Sequence, residues 1–121
     1  MTFMKIVEYS KQDISAFFQL RKAQSNKSDY GKFLVIAGSI GMTGALRLCV
    51  DSCYRSGAGL VYYTAAKKHM MEYDALTVEG ITVPLEDIKE HIQNKDCICI
   101  GCGLSLNEQN QLLLKRVLEL S

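Results

Sequence analysis

The sequence contains no tryptophan, a single proline and almost no net charge. Its 14 Lys and Arg residues against 13 Asp and Glu give a formal charge of +1, so a concentrated basic face for nucleic acid or anionic membrane is not expected. No apolar run approaches the roughly 18 residues that a membrane helix requires. Lys5 and Glu8 also interrupt the N-terminal stretch, which does not resemble a signal peptide. We therefore expect neither nucleic-acid nor membrane partners.

Cysteine is present in an odd number and in two groups, a pattern that does not predict a disulfide framework and favours a reducing, cytoplasmic location. The five residues are Cys49, Cys53, Cys97, Cys99 and Cys102. The last three could surround a zinc ion, with His91 or the first pair completing four ligands. The favoured interpretation is that these cysteines are small buried hydrophobic residues, so no metal ligand is assigned.

The length of 121 residues and a hydrophobic content of 48% predict one domain with its own core. An amphipathic pattern predicts an N-terminal helix over 10–21, and βα units follow over 33–121. Unbroken apolar runs, typical of parallel strands covered on both faces, predict strands at 33–37, 60–63, 80–83 and 97–100. Between and after them we expect helices at 43–55, 67–73, 85–93 and 108–120. The fold class is therefore α/β, with a parallel sheet in a Rossmann-like three-layer αβα arrangement.

Glycine-rich turns follow two of these strands, at 37–45 and 101–104. Ligands of open α/β sheets bind at the carboxyl edge, where both turns are expected to lie. Glycine lets a ligand approach the backbone, and the helix start after the first turn offers N–H groups to a phosphate. The spacing matches neither the dinucleotide fingerprint nor the P-loop, so an ordinary tight βα turn is an equal alternative.

A resemblance to a known family makes the turns more informative. Residues 27–39, continuing through Met-Thr-Gly-Ala at 42–45 to 55–61, resemble the ATP- or ADP-dependent NAD(P)H-hydrate dehydratases. Residues 96–104 are similar to the strand and Gly-Pro-Gly-Leu-Gly turn of the same family. The resemblance implies a partial ribokinase-like fold and a lyase that repairs hydrated NADH or NADPH. ATP or ADP with Mg²⁺ would be the cofactor, and the choice between NADHX and NADPHX stays open.

By the same resemblance, the two turns contact the hydrated dinucleotide, a small-molecule partner. Gly44, Ala45 and Gly103 are the expected substrate contacts, and the hydroxyls of Ser39 and Thr43 could add hydrogen bonds. No residue is assigned a catalytic role, and no residues are assigned to the nucleotide cofactor.

The chain departs from the family pattern at four positions. Asn26 stands where the family has histidine, and Ser28 where it has glycine. In the second turn, Cys102 replaces proline and Ser105 replaces the last glycine. The last two changes are expected to loosen this turn.

The resemblance covers the amino-terminal portion of the family only. The family's Gly-Thr-Gly-Asp motif, which bears the catalytic aspartate, lies downstream of the matched part. We therefore expect a truncated domain that is inactive alone. The alternatives are a non-catalytic dinucleotide-binding or assembly module and a truncated ribokinase-like sugar kinase. Such a piece would expose an apolar face, consistent with a mean hydropathy of +0.03, and we expect a homo-oligomer.

The remaining ionisable residues show no catalytic pattern. His69 and His91 are expected on solvated helix surfaces. Asp51 and Asp74 have no neighbour in the sequence that would form an acid/base pair with them.

Overall fold

A computed structural model describes residues 5–64, 73–75 and 77–121. Four parallel strands form one sheet in the order β3-β2-β1-β4. The strands are β1 (Lys32–Ile36), β2 (Leu60–Thr64), β3 (Ile81–Val83) and β4 (Cys97–Ile100). All four predicted strands are confirmed, with ends that shift by one residue where they differ.

The helices with described bounds are one before β1 and one after each of β1, β3 and β4. They are α1 (Lys11–Ser15), α2 (Thr43–Arg55), α3 (Ile88–Gln93) and α4 (Glu108–Leu120). The predictions for α2 and α4 are confirmed, whereas the segment predicted as one helix over 85–93 begins with a 3-10 turn at Leu85–Asp87. The helix predicted at 67–73 lies, apart from Tyr73, outside the described residues.

The sheet is covered on both faces, as the unbroken apolar strands predicted. In β1, Leu34 and Val35 are both fully buried although they point to opposite faces. The core beneath α2 contains Val35, Leu46, Val50, Val61 and Tyr63. The core beneath α3 and α4 contains Leu34, Ile36, Ile88, Ile92 and Val117. These two cores confirm the three-layer α/β architecture.

The N-terminal helix is shorter than predicted. Ser10 caps it, and a reciprocal bond with Asp13 completes a capping box, but the helix ends at Ser15 rather than near residue 21. The apolar residues of its predicted second half remain exposed, Phe17 at 76% and Leu20 at 97%. A short helix without a packing partner is only marginally stable, so the pattern alone could not extend it.

Two of the departures from the family lie at the amino edge of the sheet. Asn26 caps the 3-10 turn Lys27–Tyr30, since its Oδ1 accepts a hydrogen bond of 2.9 Å from the Ser28 N–H. Next to this turn, the Asp96 carboxylate accepts a 2.7 Å hydrogen bond from the Lys32 N–H and fixes the starts of β1 and β4. Asn26 and Ser28 therefore act on the edge opposite the glycine turns.

The strand β4 forms one edge of the sheet. Beside it, α4 buries Val117 but leaves Leu114 and Leu118 exposed. Within the part of the chain that is described, no helix is long and apolar enough to cross a membrane.

Candidate functional site

The two glycine turns meet at the carboxyl edge of the sheet. The Gly38 N–H donates a 2.8 Å hydrogen bond to the Cys102 carbonyl, and the Gly101 N–H donates one of 3.1 Å to the Ile36 carbonyl. The Ser39 hydroxyl donates a third, of 2.7 Å, to the carbonyl of Gly103. The expectation that both turns lie at the same edge is therefore confirmed, and they form one hydrogen-bonded unit.

Gly103 and Ala45 contact each other directly. Gly103 has a φ of +68°, and a Cβ placed on it would lie 2.6 Å from the Ala45 Cβ and 3.2 Å from the Met42 Cβ. Both the backbone conformation and the close packing require glycine here. Its small size is therefore explained by contact between the turns, without a ligand.

Gly44 has a different environment. It lies in the first turn of α2, immediately after Thr43, and a Cβ placed on it would meet nothing within 4 Å. Met42 at the start of the helix makes no side-chain cap, and no acidic residue occupies the first turn. The Gly44 side of the first turn is therefore open, at the positive end of this 13-residue helix where an anion can be bound.

A cavity of about 300 Å³ lies beside the first glycine turn, on the α4 side of the sheet. Among the five residues predicted to contact substrate, Ser39 lines it, whereas Thr43, Gly44, Ala45 and Gly103 lie outside it. The remaining lining residues are Ile36, Ala37, Gly38, Ile40, Thr64, Tyr73, Leu85, Leu104, Ser105, Asn107, Gln109, Asn110 and Leu113. Hydroxyl and amide groups thus converge on a mostly apolar pocket, an arrangement typical of small-molecule sites.

Thr64 contributes a polar group to this cavity that the sequence did not indicate. It ends β2 at the carboxyl edge, is only 2% exposed, and its Oγ1 has no hydrogen-bond partner among the described residues. A buried hydroxyl without a partner costs free energy, so a ligand or water that reaches Oγ1 would gain a ready partner. The signal available in the sequence was its place after the apolar run 60–63.

Among the described residues, the cavity lining offers hydroxyls and amides but no carboxylate, histidine or lysine for general acid–base chemistry near neutral pH. Mg²⁺ prefers carboxylate oxygens, so the described lining residues do not fit a magnesium site. A phosphate-bearing or sugar-bearing ligand, which needs N–H and hydroxyl partners, fits them better.

Asp74 has partners that the sequence did not reveal. Its carboxylate contacts the hydroxyls of Thr82 and Tyr63, which lie 2.9 Å from each other. The hydrogen bonds from Thr82 and then Tyr63 lower the pKa of Asp74. Burial raises the pKa of Tyr63, and its bond to Asp74 adds to this effect. The network joins β2 to β3.

Three of the five cysteines lie close together next to the second turn. Cys49 comes from α2, Cys99 from β4 and Cys102 from the turn, and their sulfur atoms lie within 4.8 Å of one another. Burial raises the pKa of Cys49 to about 12, and it also raises the pKa of Cys99. The zinc arrangement drawn from the sequence included Cys97, which does not belong to this group.

His91 is not a fully solvated surface residue. Its ring lies 5.7 Å from that of Tyr62, and its Nδ1 lies 3.0 Å from the Lys95 ammonium. Burial, with a further contribution from Lys95, lowers the pKa of His91. His69 lies outside the described residues.

The chain is similar in sequence to known NAD(P)H-hydrate repair proteins over most of its length. The chain is 35% identical over 103 residues to the bifunctional NAD(P)H-hydrate repair enzyme Nnr of Vibrio cholerae, covering 80% of this chain and 20% of that protein. It is 33% identical over 90 residues to the ADP-dependent (S)-NAD(P)H-hydrate dehydratase of Staphylococcus aureus, covering 72% and 33%. The chain thus spans a third or less of the length of these two relatives.

Solved structures are similar over nearly the whole chain. A ribokinase-like superfamily protein from Enterococcus faecalis superposes with a TM-score of 0.81 at 27% identity, over 98% of this chain and 45% of the other. An ADP/ATP-dependent NAD(P)H-hydrate dehydratase from Bacillus subtilis, co-crystallised with ATP/Mg²⁺, superposes with a TM-score of 0.73 at 26% identity, over 91% and 41%. A partial ribokinase-like fold is therefore established. Since a family model described as NAD(P)H-hydrate dehydratase matches residues 33–121, the chain belongs to that family.

Proposed function

We propose that this chain binds the hydrated form of NADH or NADPH at the joined glycine turns and, by itself, does not dehydrate it. The observation that carries the proposal is the open start of α2 at Gly44, held against the second turn by the bond from Ser39 to Gly103. Family membership supports the choice of a nicotinamide dinucleotide. The sequence left open both a non-catalytic binding module and an inactive part of a dehydratase. Both predict that this chain binds the dinucleotide without converting it.

The dinucleotide's phosphates are assigned to the start of α2. The N–H groups of Thr43 and Gly44 lie at the positive end of the helix, and the absence of a side chain at Gly44 permits close approach. The Thr43 hydroxyl can contribute a further bond. Ala45 supports the site by packing against Gly103 and keeps the second turn next to the ligand.

The neighbouring cavity is assigned to one part of the ligand only. Its volume of about 300 Å³ is at the lower end for small-molecule pockets and too small for a whole dinucleotide. Ser39, Asn107 and the Thr64 hydroxyl, which has no partner among the described residues, offer hydrogen bonds to ribose hydroxyls or to the carboxamide. A ligand that spans both the helix start and the cavity would contact Ser39, Thr43 and Gly44, while Ala45 and Gly103 hold the two turns together.

Dehydration requires more than binding. Removing the ring hydroxyl needs a group that activates it and stabilisation of the phosphate leaving group. The described cavity provides neither a carboxylate base nor a magnesium ligand set, so ATP or ADP with Mg²⁺ is assigned to the dehydratases that resemble this chain rather than to these residues. Five free thiols are consistent with the cytoplasmic location that we propose.

Calorimetric titration with hydrated NADPH tests the proposal. We expect binding by the unaltered chain and, for Gly44→Ala, a Kd at least about tenfold weaker, equivalent to about 1.4 kcal/mol. Ser52→Ala, which changes an exposed position about two helical turns away on the same helix, is the matched control and should bind normally. Turnover with ATP or ADP is followed in parallel by the absorbance of reduced nicotinamide. Absence of binding, equal binding by Gly44→Ala, or robust turnover would each contradict the proposal.

A further inference from the structure

The cysteines on the α2 side of the sheet form a group that dinucleotide binding does not use. Cys49, Cys99 and Cys102 come from three different elements, yet their sulfur atoms converge within 4.8 Å. Among the described residues this is the one cluster of three or more potential metal ligands. Cys53 lies one turn later on the same helix, and Cys97 begins the same strand, so both are outside the group.

Hydrophobic packing explains only part of this group. Cys49 and Cys99 are half-buried and pack against the core beneath α2, as small apolar residues would. Cys102 is exposed and therefore gains little from burial. It nevertheless places a third sulfur beside the other two, on the solvent side where an ion could enter.

We propose that Cys49, Cys99 and Cys102 bind one soft, thiolate-preferring cation, Cu⁺ or Zn²⁺. Such cations favour sulfur ligands. With metal–sulfur bonds of about 2.3 Å, tetrahedral geometry places sulfur atoms about 3.8 Å apart, so the present separation requires an adjustment of about 1 Å or less. Each thiol releases its proton to solvent as its sulfur bonds to the ion, and the oxidation state of the ion does not change.

The two ions differ in what they need beyond the three sulfurs. Cu⁺ is satisfied by trigonal coordination, whereas Zn²⁺ needs a fourth ligand, which water supplies through the exposed side at Cys102. Either ion would link α2 to the second turn. Since the Cys102 carbonyl accepts the bond from Gly38 and Gly103 follows directly, the ion would brace the joined turns.

Metal titration of the full chain under a thiol-free reductant tests the site. In one arm, Cu⁺ is titrated in competition with bicinchoninate; in the other, Co²⁺ is the spectroscopic probe and Zn²⁺ displaces it. We expect one ion per chain and, with Co²⁺, intense sulfur-to-metal charge-transfer absorption. Binding in either arm supports the thiolate site, and the arms show which ion it prefers.

Variants separate ligand loss from unfolding. Cys102→Ser changes an exposed position and should keep the circular dichroism spectrum. It should weaken metal binding by at least about 10- to 100-fold, the loss typical when a residue that only supports a metal ligand is replaced. Cys97→Ser, also exposed but outside the group, is the matched control and should bind normally. The proposal is overturned if neither ion binds with one-to-one stoichiometry, or if Cys102→Ser and Cys97→Ser bind alike. Because dinucleotide affinity is not measured, failure here leaves the proposed function unaffected.

Discussion

The Ser39 hydroxyl and the Gly103 carbonyl are 64 positions apart in the sequence but form a 2.7 Å hydrogen bond. Ser39 follows β1 and Gly103 follows β4, two strands that pair in parallel. The bond thus joins the ends of neighbouring strands at the edge where ligands of such sheets bind. Because the bond joins the two turns into one surface, a substitution in either turn can be used to test the other.

Replacement of Ser39 by alanine removes this link. We expect Ser39→Ala to lower the free energy of unfolding by about 1 kcal/mol, because the half-buried Gly103 carbonyl loses its donor. Affinity for hydrated NADPH should also fall, since Ser39 lines the cavity. Ser28→Ala, at the amino edge, is the control and should change neither quantity appreciably. Urea unfolding and calorimetry measure the two effects, and a variant with unchanged stability would show that the bond contributes nothing.

Gly103→Ala should be more disruptive. The new Cβ would meet the Ala45 Cβ at 2.6 Å, and the φ of +68° disfavours any side chain. We expect a loss of about 1–3 kcal/mol from overpacking and backbone strain together. Combining it with Ala45→Gly should restore the steric part but not the backbone part, so the double variant should be intermediate in urea unfolding. If the effects of Gly103→Ala and Ala45→Gly simply add in the double variant, the contact with Ala45 is not the cause.

The strands of the sheet could be predicted from the sequence because the evidence for each strand lies in a few consecutive residues. Unbroken apolar runs and glycine turns indicated the four strands, and both faces of β1 are buried as such a run requires. The extent of α1 could not be predicted in the same way. Its apolar residues Phe17 and Leu20 have the right spacing for a helix, but whether another element covers them is a property of the whole chain.

The candidate site was only partly predictable for a similar reason. The resemblance identified the two turns but not the different environments of their glycines. A side chain at Gly103 would clash with Ala45, whereas a Cβ at Gly44 would meet nothing within 4 Å. The Thr64 hydroxyl and the pairing of Asp74 with Tyr63 depend on residues brought together by the sheet, so spacing in the sequence carries no sign of them.

The Asp74 network predicts a specific dependence of stability on pH. Because hydrogen bonds lower the folded-state pKa of Asp74 below 3.8, its contribution is present above that value and is lost as the pH falls through the folded pKa. Tyr63 has the opposite sign: with its folded pKa raised above 10.0, its contribution is lost as the pH rises through that raised value. Asp74→Asn should flatten the acid limb of a plot of unfolding free energy against pH. Asp51→Asn, at a surface ion pair with Arg47, is the charge-matched control. If the unaltered chain and both variants lose stability equally at acidic pH, the Asp74 network is not the cause.

The exposed edge at β4 predicts self-association. An edge strand offers unpaired main-chain groups, and Leu114 and Leu118 beside it are 43% and 68% exposed. We propose that a second copy of the chain covers this edge, because another strand edge can satisfy both its hydrogen bonds and its apolar surface. Light scattering at micromolar concentration should give a mass above 13.5 kDa that decreases on dilution. Leu118→Lys should shift the population to monomer, whereas Leu20→Lys, at an exposed leucine of the N-terminal segment, should not. A single 13.5 kDa species at every concentration, or equal effects of the two lysines, would show that this edge is not the interface.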